Sequence, residues 1–152
     1  MDLDGGDPRQ LTRSGPDDEP SWSPDGKRIA FQSTRDSHYE IYVINVDGTG
    51  LQRLTTSTGY ANDEPTWSPD GRRIASVSGR PGKPVGAYTM AADGSDVRYV
   101  APTSIGNAYP AWSPDGSTLA LAYANALWVV PSAGGKPKML TQAVASIQWP
   151  SW

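Results

Sequence analysis

Pro20-Ser21-Trp22-Ser23-Pro24-Asp25-Gly26 recurs as Pro65-Thr66-Trp67-Ser68-Pro69-Asp70-Gly71 and as Pro110-Ala111-Trp112-Ser113-Pro114-Asp115-Gly116, at two equal steps of 45 residues. Pro150-Ser151-Trp152 copies the opening of this motif once more, 40 residues after Trp112. A period of this length marks a repeat architecture, in which each unit buries its apolar face only against a neighbour. The motif is a tight turn. Proline fixes φ at its second position and glycine is free to take positive φ at its fourth. Asp25, Asp70 and Asp115 are placed to cap backbone amides inside that turn, a structural role.

Around each turn the chain reads as short strands. Glu19–Ser23 leads in, and Arg28–Ser33 and Glu40–Val46 are β-branched and aromatic runs of strand length. Asp47-Gly48 turns the chain again before Leu51–Thr55. The second period repeats this with Arg73–Ser78, Ala87–Ala91 and Val97–Ala101, and the third with Thr118–Tyr123, Ala126–Val130 and Pro137–Thr141. Four strands per period of about 45 residues is the pattern of a β-propeller blade. The expected fold is therefore all-β: a propeller of four-stranded antiparallel blades, with almost no helix. Trp22, Trp67 and Trp112 are expected as blade-core anchors, and Gly26, Gly71 and Gly116 as turn residues.

Composition narrows the function. The chain has 152 residues, 16 Gly and 14 Pro, so turns are frequent and a helical bundle is disfavoured. A net charge of −3 leaves no basic footprint for nucleic acid. The absence of cysteine removes disulfides, thiol catalysis and cysteine metal sites, and a single histidine removes any multi-histidine centre. The longest apolar stretch, Leu119 to Val130, is interrupted by Asn125 and too short to insert in a membrane. No charged-then-apolar leader follows Met1.

Pro-x-Trp-Ser-Pro-Asp-Gly, then Arg-Ile-Ala, then Ile-Tyr before Asp-Gly and a strand closing on Leu-Thr, resembles the WD40-like repeat of TolB-type propellers over nearly the whole chain. Similar blades occur in the periplasmic Tol–Pal component, in propellers attached to prolyl-oligopeptidase-type hydrolases and in some polysaccharide lyases. The resemblance thus implies a fold more than an activity. It implies a periplasmic or secreted parent protein. The metal sites of TolB-like lyases lean on several histidines, which this chain lacks.

In this register the chain is expected as a single partial propeller over 1–152. Residues 1–18 supply the outer strand of a preceding blade and a linker. Blades follow at 19–55, 64–101 and 109–141, and an inner strand of a following blade at 146–152. Joining the two ends would not complete a blade, whose middle strands are missing. Either the remainder of the ring lies in a longer reading frame, or copies associate as a homo-oligomer.

Catalytic motifs mostly fail. There is no Gly-x-Ser-x-Gly elbow, and Gly82-Lys83 and Gly135-Lys136 are followed by proline rather than completing a phosphate loop. Asp2-Leu3-Asp4-Gly5-Gly6-Asp7 opens like a calcium loop, but its twelfth position falls at Arg13, so it reads as a hairpin turn. His38, beside Asp36 and Tyr39, has no second histidine and reads as an exposed loop residue. No catalytic residue, metal or cofactor is expected.

Hairpin topology puts the stereotyped turns on one face. The other face receives the variable segments: Thr34 to Tyr39, Gly79 to Gly86, Thr56 to Glu64 and Pro102 to Tyr109. Variable loops on a repetitive scaffold are where binding usually lives. The candidate binding residues are Asp18, Glu19, Arg35, His38, Tyr60, Asp63, Glu64, Arg80 and Tyr109. Asp17, Asp18 and Glu19 are echoed by Asp63 and Glu64, then replaced by Asn107, Ala108 and Tyr109. Carboxylates at this spacing either draw a cation or basic peptide to the channel mouth, or cap the start of each inner strand and keep the rim soluble. The leading expectation is a non-catalytic module binding a protein or peptide. The alternatives are the gating propeller of a prolyl-oligopeptidase-type hydrolase and a self-assembling half-propeller.

Overall fold

The structure is a computed structural model, described here for residues 8–57, 61–79, 82, 84–103 and 108–141. Its described strands are β1 (Asp17–Trp22), β2 (Arg28–Ser33), β3 (Glu40–Asn45), β4 (Gln52–Arg53), β5 (Asn62–Trp67), β6 (Arg73–Ser78), β7 (Gly86–Ala91), β8 (Arg98–Pro102), β9 (Ala111–Trp112), β10 (Thr118–Tyr123), β11 (Ala126–Pro131) and β12 (Lys138–Thr141). They pair in chain order as three four-stranded antiparallel sheets, β1–β4, β5–β8 and β9–β12. No helix occurs among the described residues. The propeller-type all-β class expected from the repeat is the one observed. The anticipated outer strand before residue 19 is not assigned as a strand over 8–16, and the anticipated inner strand at 146–152 lies outside the described residues.

Each inner strand is broken in the same way. Pairing of β1 with β2 jumps from Asp18↔Gln32 to Ser21↔Ala30, and that of β5 with β6 from Asp63↔Val77 to Thr66↔Ala75. In the third sheet Ala111 pairs with Ala120, while the Ala122 amide donates to the Ala108 carbonyl at 2.8 Å. The bulge sits on the residue preceding proline, which offers no amide to a ladder. Glu19, Glu64 and Tyr109 take φ of 50°, 57° and 39° there, a left-handed backbone unusual for residues with a side chain.

The sheets stack face to face. Ala30, Ile41 and Val43 of the first share a core with Trp67, Ile74 and Met90 of the second. Ala75, Ala87, Val100 and Ala101 of the second share the next with Trp112, Leu119, Leu121 and Val130 of the third. Burying one such Ile or Leu side chain contributes about 2–3 kcal/mol. Trp67 and Trp112 are 6% and 8% exposed, and the Trp112 indole donates to the Thr66 carbonyl at 3.1 Å. Trp22 differs from its expected role: it is 60% exposed, because no described sheet lies on its side of the first. On that side Leu11 packs against Phe31, Tyr42 and Ile44, leaving a hollow of about 170 Å³.

Candidate functional site

The end of the sheets carrying the β1–β2, β5–β6 and β9–β10 turns is closed by its own hydrogen bonds. Gly26, Gly71 and Gly116 donate their amides to the carbonyls of Ser23, Ser68 and Ser113 at 2.9, 2.9 and 2.8 Å, with φ near 70°. Each buried serine hydroxyl donates to an aspartate at 2.6 Å: Ser23 to Asp25, Ser68 to Asp70, Ser113 to Asp115. The same three aspartates accept the amides of Lys27, Arg72 and Ser117. These bonds hold all three carboxyls below the usual range, Asp115 down to about 2, where the Ser113 hydroxyl is the largest cause. Carboxylates so engaged are part of the turn.

The opposite end holds the β2–β3 and sheet-to-sheet segments. Here a polar assembly centres on Glu40, which is fully buried. Its carboxylate accepts from the Arg53 guanidinium at 2.9 Å, the Ser57 amide at 2.6 Å, the Asn62 amide nitrogen at 2.9 Å, and the Thr55 and Ser57 hydroxyls. Asn62 in turn accepts from the Ser78 hydroxyl. One carboxylate therefore fastens the outer strand of the first sheet, the connection after it and the inner strand of the second. A buried charge is stable only when paired and bonded in this way. Glu40 was not among the residues expected from sequence. Its signal was a charge opening the apolar run Ile41–Ile44, at the register position held in the other sheets by Gly86 and Ala126. At Gly86 a Cβ would stand 2.3 Å from the Ala101 carbonyl oxygen, so no side chain fits there.

Of the expected rim residues, Asp18 and His38 are exposed, and Glu19 and Tyr109 are half-buried. Asp36 and Tyr39 join the exposed group. Tyr60 and Arg80 lie outside the described residues. Arg35 points inward instead. Its side chain is 8% exposed, paired with Asp17 at 2.8 Å, bonded to the Ser33 hydroxyl, and laid over the Phe31 and Tyr42 rings. Burial raises the Asp17 pKa, but the Ser33 and Thr12 hydroxyls and Arg35 outweigh it, leaving the carboxyl below its ordinary range.

Asp63 and Glu64 are also buried, at 8% and 7% exposure. Glu64 has a clear reason to be inside: its carboxylate accepts the backbone amides of Ala108 and Tyr109 at 3.2 and 2.7 Å. The bulge before Pro110 leaves those amides outside the ladder, and buried amides need an acceptor. Burial still holds the Glu64 carboxyl above its ordinary range, with Glu19 adding to the effect. One Asp63 oxygen is sealed from solvent and has no hydrogen-bond partner among the described residues. Burial, then the charges of Glu64 and Glu19, pushes Asp63 up to about 7. Among the described residues no three His, Cys, Asp or Glu side chains group as a metal site.

The family model of the PD40 TolB beta propeller domain matches residues 1–152. Over 59 residues the chain is 42% identical to the Tol-Pal system protein TolB of Thioalkalivibrio sulfidiphilus, a match covering 38% of this chain and 14% of that protein. Among solved structures it is similar to a putative TolB from Agrobacterium tumefaciens, at 31% identity and a TM-score of 0.76 over 89% of this chain and 52% of that one. TolB from Acinetobacter baumannii aligns at 29% identity and a TM-score of 0.70, over 83% of this chain and 32% of its own. Puromycin hydrolase shares the fold alone, at 15% identity and a TM-score of 0.65, over 81% of this chain and 21% of its own. The chain thus spans about half, or less, of the length of these proteins.

Proposed function

The chain belongs to the TolB beta-propeller domain family, and from that premise we propose that it is a non-catalytic propeller module that binds a protein or peptide on its loop-bearing end. The supporting observation is the contrast between the two ends of the sheets. At one end the polar side chains of the repeated turns are consumed by the turns themselves. At the other, Asp18, His38 and Tyr39 stand exposed on a base made rigid by the Glu40 and Arg35 networks, to which Asp36 is tied through the Tyr42 hydroxyl and Arg53. Mixed charge with aromatic side chains on a preorganised base suits recognition of a peptide surface. A periplasmic or secreted setting, taken from the family resemblance, belongs to the same proposal. The gating reading, in which the propeller screens a separate hydrolase domain, draws only on the fold shared with puromycin hydrolase.

The test is selection of binding peptides from a displayed 15-residue library, followed by titration against substituted protein. Asp18→Lys and His38→Glu should each weaken a selected peptide about tenfold, and Asp93→Lys at the turn end should leave it unchanged. Loss confined to Asp93→Lys would overturn the assignment of the face.

A further inference from the structure

We infer that Asp63 is a proton-operated latch on the junction between the second and third sheets: protonated, it lets Glu64 clamp the start of the third sheet, and ionised, it releases that clamp. The inference goes beyond peptide binding and does not depend on it. It starts from a carboxyl oxygen that is closed to solvent and has no donor among the described residues, a setting an ionised group tolerates poorly. The neighbouring side chain does mechanical work. Glu64 holds the amides of Ala108 and Tyr109, and Tyr109 keeps its unusual φ of 39° within that clamp. The strand it leads into, β9, is only two residues long, and the Glu64 clamp acts there beside the bond of the Ala122 amide to the Ala108 carbonyl and that of the Trp112 indole to the Thr66 carbonyl.

Among the described residues, the charges that act on Asp63 push one way. From β5 itself comes Glu64, and from β1 comes Glu19. The lead-in to β9 brings Tyr109, whose hydroxyl is itself held above its ordinary range by burial and by Glu64 and Glu19. Charged groups on the other packed strands are engaged elsewhere. Arg28 of β2 lies over the Trp67 ring, Glu40 of β3 is bound by Arg53 and Asn62, and Arg73 of β6 pairs with Asp96. When Asp63 loses its proton it is repelled by Glu64 and Glu19, and no cation among the described residues offsets them. The cheapest relief is for Glu64 to swing to solvent and let water reach Asp63. Ala108 and Tyr109 then lose their acceptor, and the strained backbone before Pro110 relaxes.

Amide hydrogen exchange of Ala108 and Tyr109, corrected for intrinsic pH dependence, reads the latch directly. Between pH 5 and 8.5 their protection should fall at least tenfold in the wild-type chain, with its midpoint near 7. In Asp63→Asn, a near-isosteric neutral side chain, protection should stay at the low-pH level throughout. In Glu64→Gln it should be weak and insensitive to pH. Parallel profiles for wild type and Asp63→Asn would overturn the inference. Should the variants fold poorly, the wild-type ¹³C resonance of the Asp63 carboxyl provides the check: a midpoint in the ordinary aspartate range, or one unrelated to the exchange of Ala108 and Tyr109, would equally overturn it.

Discussion

Ser68 shows how much one small side chain organises. Its hydroxyl donates to Asp70, accepts the Arg73 amide at 2.9 Å and lies 3.1 Å from the Arg73 carbonyl, all while 3% exposed. Ser68→Ala leaves a buried amide without its acceptor, and urea unfolding should show a loss of about 1–3 kcal/mol. The pH dependence of these turns has a definite sign. Their aspartates titrate lower when folded than unfolded, so they stabilise above the ordinary aspartate pKa and lose that contribution as pH falls through the folded value. Denaturant midpoints should therefore drop between about pH 4 and pH 2, and Ser113→Ala should shrink that drop by removing the largest cause of the Asp115 shift.

At the scale of elements, the repeated tryptophans separate. Trp112→Ala should cost about 3–5 kcal/mol, because it empties the junction between the second and third sheets. Trp22→Ala should stay within about 0.5 kcal/mol, as for other surface changes. Equilibrium unfolding of the two variants side by side measures the contrast, and equal costs would contradict the stacking described. The turns, the strand order and the packing of Trp67 and Trp112 were legible because periodicity alone encodes them. Exposure at the loop-bearing end was not. Asp63, Glu64 and Arg35 are charged and lie near loops, and charge reads as exposure in a linear sequence. What buries Glu64 is a pair of amides 44 and 45 residues later, left unpaired by a bulge that no single repeat reveals. Glu40 was hidden for the opposite reason, inside a run that reads simply as strand.

Over the whole molecule, two opposed groups of carboxyls shape stability. The turn aspartates favour neutral over acidic pH, whereas Asp63, held near 7 by burial and by Glu64 and Glu19, works against it. Its folded pKa lies above its unfolded value, so the folded state loses stability as pH rises from about 4 to about 7 and loses no more beyond. Urea midpoints should peak near pH 5, and Asp63→Asn should flatten the descent on the alkaline side. The Glu40 assembly adds a separate stake between the first two sheets. Glu40→Gln should cost about 2–3 kcal/mol, since a partly exposed Arg53 recovers some hydration once its partner is gone. Faster exchange of the Ser57 amide would mark the same loss locally.

Gly86 carries a lesson for anyone engineering such a chain. Averaging the three repeats into one consensus would put a single residue at the register shared by Glu40, Gly86 and Ala126. Glutamate there would collide with the Ala101 carbonyl in the second unit, and glycine would strip the first of the anchor joining it to the second. The repeats are alike in outline yet individually keyed to their neighbours, so shuffling their order should break the molecule even though every unit is kept.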